Sequence, residues 1–288
     1  MIIDMHTHPF CKDATITPGF SDAAERMYGD MVDKDRFKNI AAMFQYVFTQ
    51  RSIGDIIKDM DDAGVDKAVI VAADYTTAYN VVAVTNEDVG QLASDHPDRF
   101  IPFASVDPSM GRAAIDRLIH AVKNLGCVGL KLVPPLQLFD FSDPKFNPLW
   151  ETALDLDIIV WTHTAHQLST PGSEARLGHP MLVEPVALKY PNLKIVLGHC
   201  GFPWIWETWS LVVRHPNVYV DISAYPNMYD YFPWEAYSRF EAEGKVLFAT
   251  DNPLKGFKET LDALDAVKIS DEFKAKIKGE NAKGLLGI

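Results

Sequence analysis

The sequence predicts an α/β protein folded as a (β/α)₈, or TIM, barrel, on three observations. Eight short, continuous apolar runs recur along the 288 residues, helical periodicity fills the stretches between them, and polar, metal-seeking side chains cluster where the runs end. A parallel strand covered on both faces reads as an unbroken apolar run rather than an alternating one. Strand and helix in strict alternation, eight times over, close most economically into a barrel whose site lies at the carboxyl ends of the strands.

The first run, Met1 to His8, carries Asp4, His6 and His8 at its end. Successive strand side chains alternate faces, so His6 and His8 point the same way. Residues 10–50 then interrupt the rhythm with an aromatic-rich stretch that includes Phe20, Tyr28, Phe37, Phe44, Tyr46 and Phe48. A connection this long has structure or function of its own. Its place after the first strand sets it over the barrel mouth, as a helical lid within a single 1–288 domain. It fits equally a docking surface for a second subunit, which would make a homodimer.

Ile53, Ile56, Ile57 and Met60 recur at helical spacing and Gly64 closes that helix; the strand Lys67 to Ala73 follows. Next come the strand Phe100 to Val106, the helix through Ala114, Leu118, Ala121 and Val122 with Gly126 as its stop, and the strand Val128 to Val133. Ile158 to His163, Lys194 to His199, Val218 to Ile222 and Val246 to Asp251 complete the set of strands.

Composition narrows the function. At 48% hydrophobic and 23% charged residues the chain has the makings of a globular core, and no apolar run nears the ~20 residues a bilayer span needs. The amino terminus enters a strand with no basic, apolar and small-residue leader pattern, so a cytoplasmic location is expected. Cys11, Cys127 and Cys200 have no paired spacing, which argues against a disulfide framework or a zinc knuckle. A net charge of −12 with scattered lysines disfavours nucleic acid as a partner; a small molecule is the expected one.

Four strand ends carry the chemistry. His6 and His8 give two nitrogens, His163 a third and Asp251 an oxygen, a set that suits one Zn²⁺ or a similar divalent ion per chain. His199 is the candidate for proton transfer, with metal ligation as the alternative, because an imidazole moves protons near pH 7. Asp251, bound through one oxygen, would keep the other to accept a proton. His166, just above the fifth strand, and Trp204, after the sixth, are candidate substrate contacts at the mouth. His96, His120 and His215 sit in polar helix or turn contexts and are expected at the surface.

Asp4-Met5-His6-Thr7-His8-Pro9, Gly129-Leu130-Lys131-Leu132, Thr162-His163, Gly198-His199-Cys200-Gly201, Asp221 and Thr250-Asp251-Asn252-Pro253 occur in that order. This ordered set resembles the amidohydrolase superfamily, and within it the amidohydrolase-related branch that includes aminocarboxymuconate-semialdehyde decarboxylase-like proteins. The resemblance implies His6, His8, His163 and Asp251 as ligands of a single metal and His199 as the assisting histidine. Lys131 falls where two-metal members carry a carboxylated lysine; in this branch it is read as a contact to a substrate carboxylate or carbonyl, with a salt-bridged core lysine as the structural alternative.

The expected reaction is hydrolysis, a metal-activated water attacking the carbonyl of an ester, lactone or amide, with His199 or Asp251 handling the proton. The alternative is metal-dependent, non-oxidative decarboxylation of a conjugated or aromatic carboxylic acid. Such decarboxylases commonly hold the carboxylate with arginines, and only Arg51 and Arg112 stand near the motifs, neither in a convincing one. That lack favours the hydrolase.

Overall fold

A computed structural model describes residues 1–28, 33–166 and 172–288; within these, the side chains of Ser21, Tyr28 and Arg36 are left aside. Eight parallel strands form one sheet in the order β1 (Ile3–Thr7), β2 (Lys67–Val71), β5 (Phe100–Ser105), β6 (Gly129–Leu132), β7 (Ile159–His163), β8 (Ile195–Gly198), β9 (Val218–Asp221) and β10 (Val246–Leu247). Each expected run coincides with one of these strands. The last is short as a strand, but its continuation closes the barrel against β1: Asp251 N–H donates to the His6 carbonyl at 2.9 Å, and His8 N–H to the Asn252 carbonyl at 2.7 Å.

Apolar side chains fill both sides of the sheet. Ile3, Met5, Val69, Phe103, Trp161 and Val196 pack inside the barrel, while Ile70, Leu118, Leu130 and Trp150 belong to the larger layer between strands and helices. The expected stops hold: Gly64 and Gly126 sit at φ 76° and 73°, the left-handed conformation that ends a helix at no cost to glycine.

One element was not foreseen. The second run breaks after Val71, and Ala73–Tyr75 (β3) pairs with Val81–Val84 (β4) as a small antiparallel hairpin. The described part of the 10–50 insertion holds two helices, Phe20–Tyr28 and Lys34–Thr49. The hairpin and these helices stand over the carboxyl ends of the strands, where Tyr75 and Ala83 join Phe20, Met27, Met43 and Phe44 in the wall of one cavity. No helix among the described residues is long and apolar enough to cross a membrane.

Candidate metal centre and its cavity

The floor of that cavity is polar. His6, His8, Lys131, His163, His199 and Asp251, all singled out in the sequence, line it together. Along β1 the pairing with β2 steps from Asp4–Ala68 to Thr7–Ile70, three residues against two, which marks a bulge. A bulge re-aims side chains. Here it keeps Met5 in the barrel interior and still turns His6 to the cavity.

Asp251 is the hub. Its Oδ1 lies 3.5 Å from His6 Nδ1 and 3.2 Å from His8 Nε2, and its Oδ2 3.9 Å from His199 Nδ1. His6, His199 and Asp251 each offer one donor atom within 4.8 Å of the other two. His163 is outside that tight trio and sits beside His199, ring centroids 4.4 Å apart. Burial, reinforced by Lys131 and neighbouring imidazoles, holds His6 and His199 well below the usual histidine value and brings His163 down to about 3. His6, His163 and His199 are therefore held as neutral rings, which present the lone pairs a cation needs.

Two shared carboxylates hold these rings in place. Asp221 Oδ1 accepts from His199 N–H at 2.9 Å, Ser223 N–H at 3.0 Å and the Ser223 hydroxyl at 2.6 Å, and its Oδ2 from the Trp161 indole at 2.5 Å. With its own hydrogen committed to Asp221, the Ser223 oxygen is left to accept from His199 Nδ1 at 2.9 Å, which assigns the lone pair to Nε2. The carbonyl of Ala165 fixes His163 in the same way, taking Nε2–H at 2.9 Å and freeing Nδ1. Asp4 accepts from His6 N–H at 2.8 Å and the Thr250 hydroxyl at 2.6 Å, tying β1 to the end of β10; burial raises its carboxyl to about 7 against those bonds. His199 and Asp251 both take left-handed backbone, φ 62° and 66°, a strained state that non-glycine residues adopt mainly where surrounding structure over-determines it.

Lys131 is 2% exposed, its Nζ 3.0 Å from His6 Nε2 and 3.1 Å from the centroid of the Trp161 ring. No carboxylate among the described residues lies within ion-pair distance, so it is not the salt-bridged core lysine considered from sequence; burial lowers it to about 7. Of the cavity's described lining residues it is the one lysine or arginine. Arg51 is instead buried against Asp59 at 3.0 Å, and Arg112 is exposed beside Asp116 at 2.8 Å.

His166 and Trp204 are half-buried neighbours, ring centroids 6.3 Å apart, and neither is among the described lining residues of the cavity. His215, expected at the surface, is buried with Nε2 3.3 Å from Glu184, at the start of the earlier helix Glu184–Lys189. Sequence reasoning missed Ser223, which carries no motif of its own, the bond of Thr250 to Asp4, and the apolar wall of Phe10, Val133, Leu136 and Leu254.

The fold is a barrel with a possible metal site at its strand ends, and comparison with known proteins shows the family. Residues 3–288 match the Amidohydrolase family, the amidohydrolase 2 branch, and the chain belongs to it. A gamma-resorcylate decarboxylase of Polaromonas sp. is 27% identical over 289 residues, covering 81% of this chain and 86% of that protein. Solved structures share the fold. A 5-carboxyvanillate decarboxylase of Sphingomonas paucimobilis superposes with TM-score 0.73 at 16% identity, over 100% of this chain and 99% of that one. A dihydroxybenzoic acid decarboxylase of Polaromonas sp. JS666, solved with bound manganese and the inhibitor 2-nitroresorcinol, gives 0.69 at 20%, over 99% and 96%.

These relatives overturn the hydrolase expectation: the named activities are carboxy-lyase activities. The expectation had leaned on the lack of an arginine motif; the one lysine or arginine among the cavity's described lining residues is Lys131.

Proposed function

We propose that the chain is a metal-dependent carboxy-lyase that releases CO₂ from an aromatic or conjugated carboxylic acid. The observation that carries this is the pairing, in one cavity, of a floor of imidazoles, one aspartate and one buried lysine with an apolar, partly aromatic wall, in a chain whose curated relative is a decarboxylase.

A divalent ion fits the floor. His6 Nδ1 and His8 Nδ1 are buried with no hydrogen-bond partner among the described residues, although such atoms are normally satisfied. His6, His8, His163 and Asp251 would hold one ion per chain, with His199 beside it. Three nitrogens and a carboxylate accept Zn²⁺ or Mn²⁺, and the manganese in the solved neighbour supports the latter as the first ion to try. When bound, the ion supplies positive charge that polarises substrate oxygen atoms.

The remaining work falls to the chain. Lys131 sets its charge against the acid's carboxylate or a neighbouring phenolic oxygen, and the apolar wall excludes water around the ring. A proton taken up from solvent as the substrate binds is passed by the Asp251–His199 pair to the carbon that bears the carboxylate. The carbon–carboxylate bond then breaks, its electron pair returns to the ring, CO₂ departs, and the pair is left as it began. Residues 10–50 cover this chemistry as the lid of a single-domain enzyme.

The test is CO₂ release from gamma-resorcylate and related hydroxybenzoates by metal-loaded protein, with metal content measured in parallel. Release that is lost on chelation and restored by about one equivalent of ion supports the reading. His199→Ala is expected to keep its metal and lose turnover. No release from any hydroxybenzoate, or release indifferent to chelation, overturns it.

A further inference from the structure

The cavity above the metal-site residues has room for only about 100 Å³. An apolar cavity that takes up benzene measures about 150 Å³. A substituted aromatic acid therefore needs space that the cavity as it stands does not provide.

That space lies directly beyond one wall. A groove of about 620 Å³ runs between the two helices of the insertion, lined by Ile16, Ile40 and Phe48 among others, and Phe20 and Phe44 line both it and the cavity. The two rings meet edge to face, centroids 5.4 Å apart at 84°. Both are half-buried at the edge of the core, with Phe48 beside each, ring centroids 5.1 Å and 6.0 Å away. Ring contacts continue inward: Phe44 to Phe10 at 6.2 Å, and Phe10 stacked on His8 at 4.8 Å. An apolar path thus leads from the metal-site imidazoles to the groove, interrupted by a single pair of side chains.

We propose that the Phe20–Phe44 pair is a movable partition that sets substrate size. An aromatic acid is admitted by displacing it, and a substituent on the ring, away from the carboxylate, lies in the groove between the insertion helices. This rests on the carboxy-lyase reading for the substrate's acid end, but the partition is a matter of space and is measurable without turnover. The class of acid it selects carries an alkyl or aryl group opposite the carboxylate, which would lie along Ile16, Phe37, Ile40 and Phe48; Thr17, Glu25, Gln45 and Thr49 also line the groove.

The experiment uses two carboxylate-free probes, phenol and 4-butylphenol, titrated by calorimetry into the metal-loaded chain. Removing the partition with Phe44→Ala should tighten 4-butylphenol relative to phenol by about tenfold, and Phe44→Trp should shift the ratio the other way. Phe44→Leu serves if the alanine variant fails to fold, with a smaller shift of the same sign. A ratio unchanged within twofold in folded Ala or Leu and Trp variants overturns the partition. Hydroxybenzoate decarboxylation with an unchanged ratio would overturn only the partition, and a shifted ratio without CO₂ release would overturn only the carboxy-lyase reading.

Discussion

Asp221→Asn puts the rigid frame behind His199 to the test. The native carboxylate is fully buried and accepts four hydrogen bonds, three on Oδ1 and one, from the Trp161 indole at 2.5 Å, on Oδ2. A carboxamide of the same shape must turn its nitrogen somewhere. Toward Oδ1 it would face three donors; toward Oδ2 only one, so it settles against the indole and two N–H groups confront each other. One charge-assisted bond disappears, worth about 1.5–3 kcal/mol, and a buried indole N–H is left unmet at about 1–3 kcal/mol. Working against these, burial raises the Asp221 carboxyl, so a neutral amide sheds part of a desolvation penalty. A net loss of about 2–3 kcal/mol is expected. At about 2 °C per kcal/mol for a chain of this size, the melting temperature should fall by about 4–6 °C. The weakened grip on His199 N–H and Ser223 should lower kcat by about tenfold, while KM moves by less than about threefold because Asp221 is not among the described residues lining the cavity. Differential scanning calorimetry and steady-state CO₂ release on the same preparation decide it. A variant that melts within about 1 °C of the parent and turns over within about twofold of it would refute the idea that this carboxylate holds the site together.

Gly198→Ala should damage the same frame from the other side: its Cβ would lie 2.2 Å from the Trp161 ring, and that ring cannot retreat without disturbing Asp221, Lys131 or His6. A loss of about 1–3 kcal/mol in urea unfolding and a changed near-ultraviolet circular dichroism signal are expected, against no effect for Gly244→Ala, whose Cβ meets nothing within 4 Å. The three cysteines are buried and burial raises each thiol, Cys127 to about 12. Raised thiols are protonated at pH 8, so a disulfide reagent should modify fewer than one per native chain and all three in urea; rapid native labelling of Cys200 would contradict its burial beside the site.

The barrel was legible because burial on both faces leaves an unmistakable mark: eight apolar runs whose ends fall within a few residues of the observed strands. The hairpin Ala73–Val84 was not, because its strands are three and four residues long and merge with the run that precedes them. The polar floor was legible for a related reason. His6, His8, His163, His199 and Asp251 stand where apolar strands stop, and a barrel brings strand ends together whatever the intervening sequence. Their support was harder to see. Ser223 places its hydroxyl on Asp221 two residues away, and Thr250 places its own on Asp4 across the barrel's closure; a serine or threonine read in sequence gives no sign of such a partner. His215 failed for the opposite reason: the local polar context was correct, but a carboxylate 31 residues away supplied the burial.

The decarboxylase relatives moved the reading from hydrolysis to decarboxylation, and the character of the wall, which no motif encodes, supports the proposed reaction. Both reactions use a polar floor of the kind formed here, since each needs charge stabilised at a substrate oxygen and a proton moved nearby. A hydrolase must also protonate a departing alcohol or amine, which favours polar groups on the side away from the floor. In this chain that side is mostly Phe10, Phe20, Met27, Met43, Phe44 and Leu136, contributed by the insertion, the first strand's exit and the segment after β6, with Tyr75 of the hairpin carrying the wall's one hydroxyl among the described lining residues. Departing CO₂ needs no proton from that side, and expelling a charged carboxylate as a neutral molecule is favoured where water is scarce. These wall residues are spread over more than a hundred positions and each is an ordinary core residue when read alone. Only their convergence over Lys131 and the imidazoles gives them chemical meaning, which is why the same residues that make the floor readable from sequence leave the reaction undecided until the roof is in place.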